Sequence, residues 1–158
     1  MSDILEKTKH YVVALLSKHL SPDFLYHNLR HTQRVVKSTK ELLNASSLNE
    51  QEKAAIEIAA WLHDTGYIEG CENHEAKSCI IAKEFLTKEG YNSNMIAKVI
   101  ECIMATVRYT EPKNFHEEIL RDADASHFAQ KSYLETSELL REELGLLGVV
   151  KYTQKEWL

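Results

Sequence analysis

Apolar residues recur along most of this chain at intervals near 3.6, the spacing of one face of an α-helix. Ile4, Leu5, Tyr11, Val12, Leu15 and Leu16 form such a stripe between Asp3 and Leu20. Ser21-Pro22-Asp23 breaks it, and Phe24 to His27 reads as a short connector. Asn28 is a good N-cap for a second helix, Leu29 to about Asn44, with Val35, Val36, Leu42 and Leu43 as its apolar face. Ser47 and Glu50 have capping-box spacing, so a third helix is expected to start there. It carries Ala54, Ala55, Ile58, Ala59 and Leu62 inward and ends at His63-Asp64, with Gly66 as a stop signal.

Thr65 to Glu72 reads as a loop. A fourth helix is predicted from about Asn73 to Lys88, burying Ile80, Ile81 and Phe85 and stopping at Gly90. Asn92 or Ser93 caps a fifth, whose core face is Met95, Ile96, Val99, Ile100, Ile103 and Met104. Tyr109 to Lys113, around Pro112, is a second loop. Asn114 and Glu117 again have cap spacing, and the sixth helix runs from Phe115 to about Ala129. The last long helix spans about Tyr133 to Leu144, closed by Gly145 and Gly148. Tyr152 to Leu158 adds one more turn, and Trp157-Leu158 is an apolar pair suited to docking on the body. No stretch alternates as a strand does. The fold class is therefore all-α, in one domain over residues 1–158.

Composition supports this picture. The chain has 158 residues, 44% of them hydrophobic and 27% charged, enough for one sizeable core. Five glycines and two prolines leave few breaks, which favours long helices. The net charge of −5 gives no electrostatic footprint for a nucleic acid polymer or an anionic membrane. No apolar run reaches transmembrane length, and the start Met-Ser-Asp has no signal core. Cys71, Cys79 and Cys102 show no Cys-x-x-Cys spacing and read as small buried hydrophobes. The cytoplasm is the expected compartment.

The chemistry gathers around Ala59-Ala60-Trp61-Leu62-His63-Asp64-Thr65-Gly66. Imidazole nitrogen and carboxylate oxygen both bind divalent metals. Adjacent helical residues point about 100° apart, so both reach one ion only if it sits beside the helix, near its end. His31 and His74 also fall in first turns of predicted helices. Asp124 lies among Ile119, Leu120 and Ala123, and an acidic residue in such surroundings needs a compensating charge, as a metal would provide. His10, His19, His116 and His127 read as structural or exposed.

Between about Tyr26 and Glu143 the chain resembles the HD-type metal-dependent phosphohydrolase superfamily. The resemblance rests on Tyr-His-Asn-x-x-His-Thr, Ala-Ala-x-x-His-Asp-x-Gly-Tyr, His-Glu-x-x-Ser and Asp-Ala-Asp in that order, with Leu140-Arg141-Glu142-Glu143 beyond them. It implies an all-α HD-domain-like bundle and metal ligands at His31, His63, Asp64 and Asp124. Asp122 is a rival for the last. Asp124 fits better because Ala125 follows it, although the usual leucine is missing there. The expected cofactor is one divalent metal ion: Mn, Fe, Co, Ni, Zn or Mg. A metal-activated water would then attack a small phosphorylated substrate, such as a nucleotide, with no protein nucleophile.

Asp64 and His74 are the catalytic candidates. His74 and Glu75 also have reach as phosphate contacts or as ligands of a second metal. His27, Arg30, Lys77 and Arg108 are the substrate-binding candidates, the three cations by neutralising phosphate. The region Met104 to Val107 lacks the further histidine carried by many two-metal members, and Thr106 is a poor ligand, so one metal is expected. Thr65-Gly66-Tyr67 replaces the long acidic motif of ppGpp hydrolases, and the Gly-Tyr-Pro signature of cyclic-di-GMP phosphodiesterases is absent. Two rival readings stand beside the enzyme. One is a non-catalytic regulatory domain that keeps the metal and binds a ligand. The other is a plain helical interaction module. Loops at Thr65–Glu72 and Tyr109–Lys113 are expected to set selectivity.

Overall fold

A computed structural model describes residues 2–107, 113–125 and 133–148 of the chain. Among the described residues seven α-helices follow one another: α1 (Ser2–His19), α2 (Leu29–Asn44), α3 (Glu50–Leu62), α4 (His74–Lys88), α5 (Ser93–Met104), α6 (Phe115–Asp124) and α7 (Tyr133–Leu146). A 3₁₀ segment, Thr65–Glu69, links α3 to α4. There is no strand among the described residues, and the all-α expectation holds.

α3 is the central element, with contacts to α1, α2, α4, α5 and α6. Ala54, Ala55, Ile56, Ile58, Ala59, Ala60, Trp61 and Leu62 are all buried, so its second half is covered on every side. The stripe of Ala54, Ala55, Ile58, Ala59 and Leu62 predicts only one inward face. A helix ringed by neighbours has no solvent face and no amphipathic stripe to read. Its alanines let those neighbours approach, while Ile56, Ile58 and Leu62 supply bulk worth about 1.5–3 kcal/mol each.

Capping residues set most helix starts. Asn28, Asn92 and Asn114 accept from the first-turn amides of α2, α5 and α6. The third helix departs from expectation here. Asn49 is its cap, in a reciprocal capping box with Glu52, and Ser47 lies outside it. Both pairs have the same spacing, so pattern alone does not separate them. α4 closes on Gly90 at φ +76, whose N–H reaches Thr87 O while Tyr91 N–H reaches Leu86 O. This double bond pattern requires the left-handed conformation glycine adopts freely.

Other boundaries and faces also shift. α6 ends at Asp124 with Ala125 as C-cap, short of Ala129. α7 continues through Gly145 and closes at Gly148, φ +71. Ile80 (60% exposed), Leu42 and Met104 face outward, because they sit off the stripes that α2, α4 and α5 turn toward α3 and its neighbours. On α4, Ile81, Ala82 and Leu86 are buried, and Phe85 stacks on Tyr11 of α1 at 4.1 Å. Cys102 is buried, Cys71 and Cys79 are half-buried, and all three are free thiols. The expected turn at Tyr152–Leu158 and Trp157-Leu158 lie outside the described residues. No helix among the described residues is long and apolar enough to cross a membrane.

Candidate metal centre

Four side chains from three helix ends converge. His31 stands in the first turn of α2, positioned by Asn28. The Asn28 side chain accepts from Arg30 N and His31 N, and its amide donates to Phe24 O and Leu25 O. His63 is the C-cap of α3, and Asp64 follows it at φ −111. Asp124 is the last residue of α6. One ligand atom from each of these residues lies within 4.8 Å of the other three.

The contacts inside this group are short. His31 Nε2 is 3.0 Å from Asp124 Oδ1 and 3.3 Å from Asp64 Oδ2. His63 Nε2 is 3.2 Å from Asp124 Oδ1 and 3.1 Å from Asp64 Oδ2. His63 Nδ1 lies 2.7 Å from the Ala60 carbonyl. A carbonyl only accepts, so Nδ1 carries a proton, and in the neutral ring Nε2 would present the lone pair. His31 and His63 are almost fully buried, and Asp64 is 6% exposed.

Charge in this pocket is tightly coupled. Burial alone would lower the pKa of both imidazoles. For His31, hydrogen bonding to Asp124 and the nearby Asp64 carboxylate outweigh it; for His63, the charges of Asp64 and Asp124 do. Both end above the ordinary histidine value. Burial opposes ionisation of Asp64 and Asp124, but the His63 charge and the neighbouring imidazoles hold both carboxyls below the usual range.

Three features fit a cation at the centre. Two imidazole nitrogens and two carboxylates are a donor set of intermediate hardness, suited to first-row divalent metals. Asp64 Oδ2 is buried and receives no well-aligned hydrogen bond, an expense that a cation would remove. Asp124 also sits at the C-terminus of α6, where the helix dipole disfavours negative charge unless a cation balances it.

The HD domain family model matches residues 28–129, which contain all four of these side chains. The chain belongs to the HD domain family. That places it in the HD-type metal-dependent phosphohydrolase superfamily, whose members are mostly metal-dependent hydrolases and bind divalent metals. No curated protein and no solved structure matches the chain.

Around this HD centre the other candidates fall differently. His74 lies beside it, Nε2 at 3.3 Å from Asp64 Oδ1 and Nδ1 at 3.4 Å from Glu75 Oε1. Asp64 thus turns one oxygen to His31 and His63 and the other to His74. His27 is also adjacent, its ring 5.4 Å from that of His31. Arg30 is exposed and Lys77 donates to the Glu69 carbonyl at 3.1 Å, so neither is drawn into the cluster. Asp122 is exposed, whereas Asp124 joins the group. Arg108 and most of the Tyr109–Lys113 loop lie outside the described residues.

The expected loop at Thr65–Glu72 is largely a 3₁₀ segment with Thr65, Gly66 and Tyr67 buried. Gly66 N–H donates to Ser78 Oγ at 2.8 Å. A Cβ at Gly66 would sit 2.0 Å from His74 O, so only glycine lets the segment press against α4 there. Tyr67 stacks on His74 at 4.0 Å and on His27 at 4.6 Å.

The sequence reading gave no role to Tyr67, Arg34 or Glu143. Tyr67 was present only as a letter of a motif. Arg34 lies one turn beyond His31, with its guanidinium 5.8 Å above the Tyr26 ring, and this i, i+3 spacing was a usable signal. Glu143 reaches the site from α7; the resemblance at Leu140-Arg141-Glu142-Glu143 pointed to its segment but not to its contact with His27.

Proposed function

We propose that this HD domain protein hydrolyses a phosphate ester or anhydride bond of a small phosphorylated molecule, nucleotides being the first class to test. The supporting observation is the convergence of His31, His63, Asp64 and Asp124, with Asp64 Oδ2 buried and without a well-aligned hydrogen bond. These four residues would hold one divalent ion, which supplies Lewis acidity toward a phosphoryl oxygen and lowers the pKa of water.

The chain's own side chains do the rest. Asp64 binds on one oxygen and keeps the other against His74, so it ties the ligand set to a proton-carrying group. His74, stacked on Tyr67, is placed to move a proton or to hold phosphate. His27 borders the same space and contacts substrate. Arg34, half-buried with its guanidinium over the Tyr26 ring, is better placed than the exposed Arg30 to balance phosphate charge. The expected setting is the cytoplasm, with neither a membrane nor a nucleic acid polymer as partner.

The test is a phosphate-release screen of metal-loaded protein against nucleotides and sugar phosphates, with Asp64→Ala in parallel. Turnover by the wild type and its loss together with the metal in Asp64→Ala support the reading. Ligand binding at the metal without turnover, across several metals, would favour the non-catalytic regulatory domain instead.

A further inference from the structure

Glu143 belongs to α7, beyond the residues matched by the family model, yet its side chain is 1% exposed. A buried carboxylate must be compensated by donors. Its Oε1 accepts from the backbone N–H of Tyr26 at 2.9 Å and of His27 at 2.8 Å. Its Oε2 lies 2.6 Å from His27 Nδ1. One carboxylate therefore latches α7 to the connector before α2 and grips the His27 ring by one nitrogen.

The grip has a chemical consequence. A carboxylate accepts and does not donate, so the proton of this short contact sits on His27 Nδ1. In the neutral ring the lone pair is then on Nε2. His27 Nε2 has no hydrogen-bond partner among the described residues, and the side chain is 21% exposed. One face of the ring stacks on Tyr67 at 24° between planes, and its edge meets His31 at 5.4 Å. With the Nδ1 edge and one face occupied, the Nε2 edge is what His27 can offer beside the metal centre.

We propose that Glu143 is a positioning residue that fixes His27 as the Nδ1–H tautomer, so that Nε2 accepts a hydrogen bond from a hydroxyl at the metal centre. The hydroxyl belongs to the attacking water or to the phosphorylated substrate. This deepens the hydrolytic reading and rests on it for the hydroxyl, but the tautomer stands on the Glu143 geometry alone.

Glu143→Gln separates the two. Its amide oxygen keeps accepting from Tyr26 N and His27 N, while its NH₂ donates to His27 Nδ1 and drives the ring proton to Nε2. The Zn²⁺-loaded full chain, with ¹⁵N-histidine and with His27→Phe to assign the resonance, reports the tautomer by NMR. The expected result is Nδ1–H in the wild type and Nε2–H in Glu143→Gln, at equal zinc content and equal helicity. On a substrate from the screen, kcat/KM falls by roughly 10²-fold or more. A fall carried by kcat puts the hydroxyl on the water, and a rise in KM puts it on the substrate. Glu143→Ala, which also removes the latch, should be at least as impaired. The same His27 tautomer in both proteins overturns the proposal, as do unchanged kcat and KM in Glu143→Gln. If no substrate is turned over, the hydrolytic reading fails, and the tautomer comparison still decides the role of Glu143.

Discussion

The cluster of His31, His63, Asp64 and Asp124 and the flanking set of His27, Tyr67 and His74 lie side by side but are held in different ways. Each member of the cluster sits at the end of a helix that is packed on α3, or at the end of α3 itself. Backbone geometry, caps and the Ala60 carbonyl aim these side chains, and charge coupling binds them together. The flanking set rests on ring stacking and on single contacts with Asp64, Glu75 and Glu143. Helix ends set the positions of the first group, whereas the second depends on side-chain contacts between rings and carboxylates, so single substitutions should shift its members one at a time.

The strongest test of this division removes a candidate ligand. Asp124→Asn should weaken divalent metal binding more than about 100-fold, beyond the range for altering an outer hydrogen-bond partner. Asp122→Asn, two residues away and exposed, should bind metal as the wild type does. Isothermal titration with Zn²⁺ or Mn²⁺ reads both, and the reverse order of effects would move the ligand to Asp122.

Crossing into the flanking set should change the kind of effect. His74→Ala is expected to lower turnover roughly 10²–10⁴-fold while metal content per chain stays at the wild-type value. Elemental analysis beside kinetics checks this. Equal loss of metal and activity would make His74 a ligand and erase the boundary between the regions.

The smallest expected effect, on stability, probes the seam where the regions meet. Gly66→Ala forces a methyl against the His74 carbonyl and should cost about 1–3 kcal/mol by urea denaturation, with His74 displaced from Asp64. Full stability would mean that the 3₁₀ segment has room to move.

What the sequence determined by itself was local. Stripes near 3.6 spacing marked the helices, and Asn28, Asn92 and Asn114 marked three starts, because periodicity and capping act within a few residues. His31, His63, Asp64 and Asp124 were nameable in advance because their motifs are short and fall in order. Only the tertiary structure decided which faces were closed. Ile56, Ala60 and Trp61 are buried because neighbours surround α3, and Ile80 is exposed because none covers that side of α4. The same holds for Glu143, which meets His27 across 116 residues of chain. A contact of that span depends on how α7 docks, and helix docking sums many weak packing terms that no local pattern records.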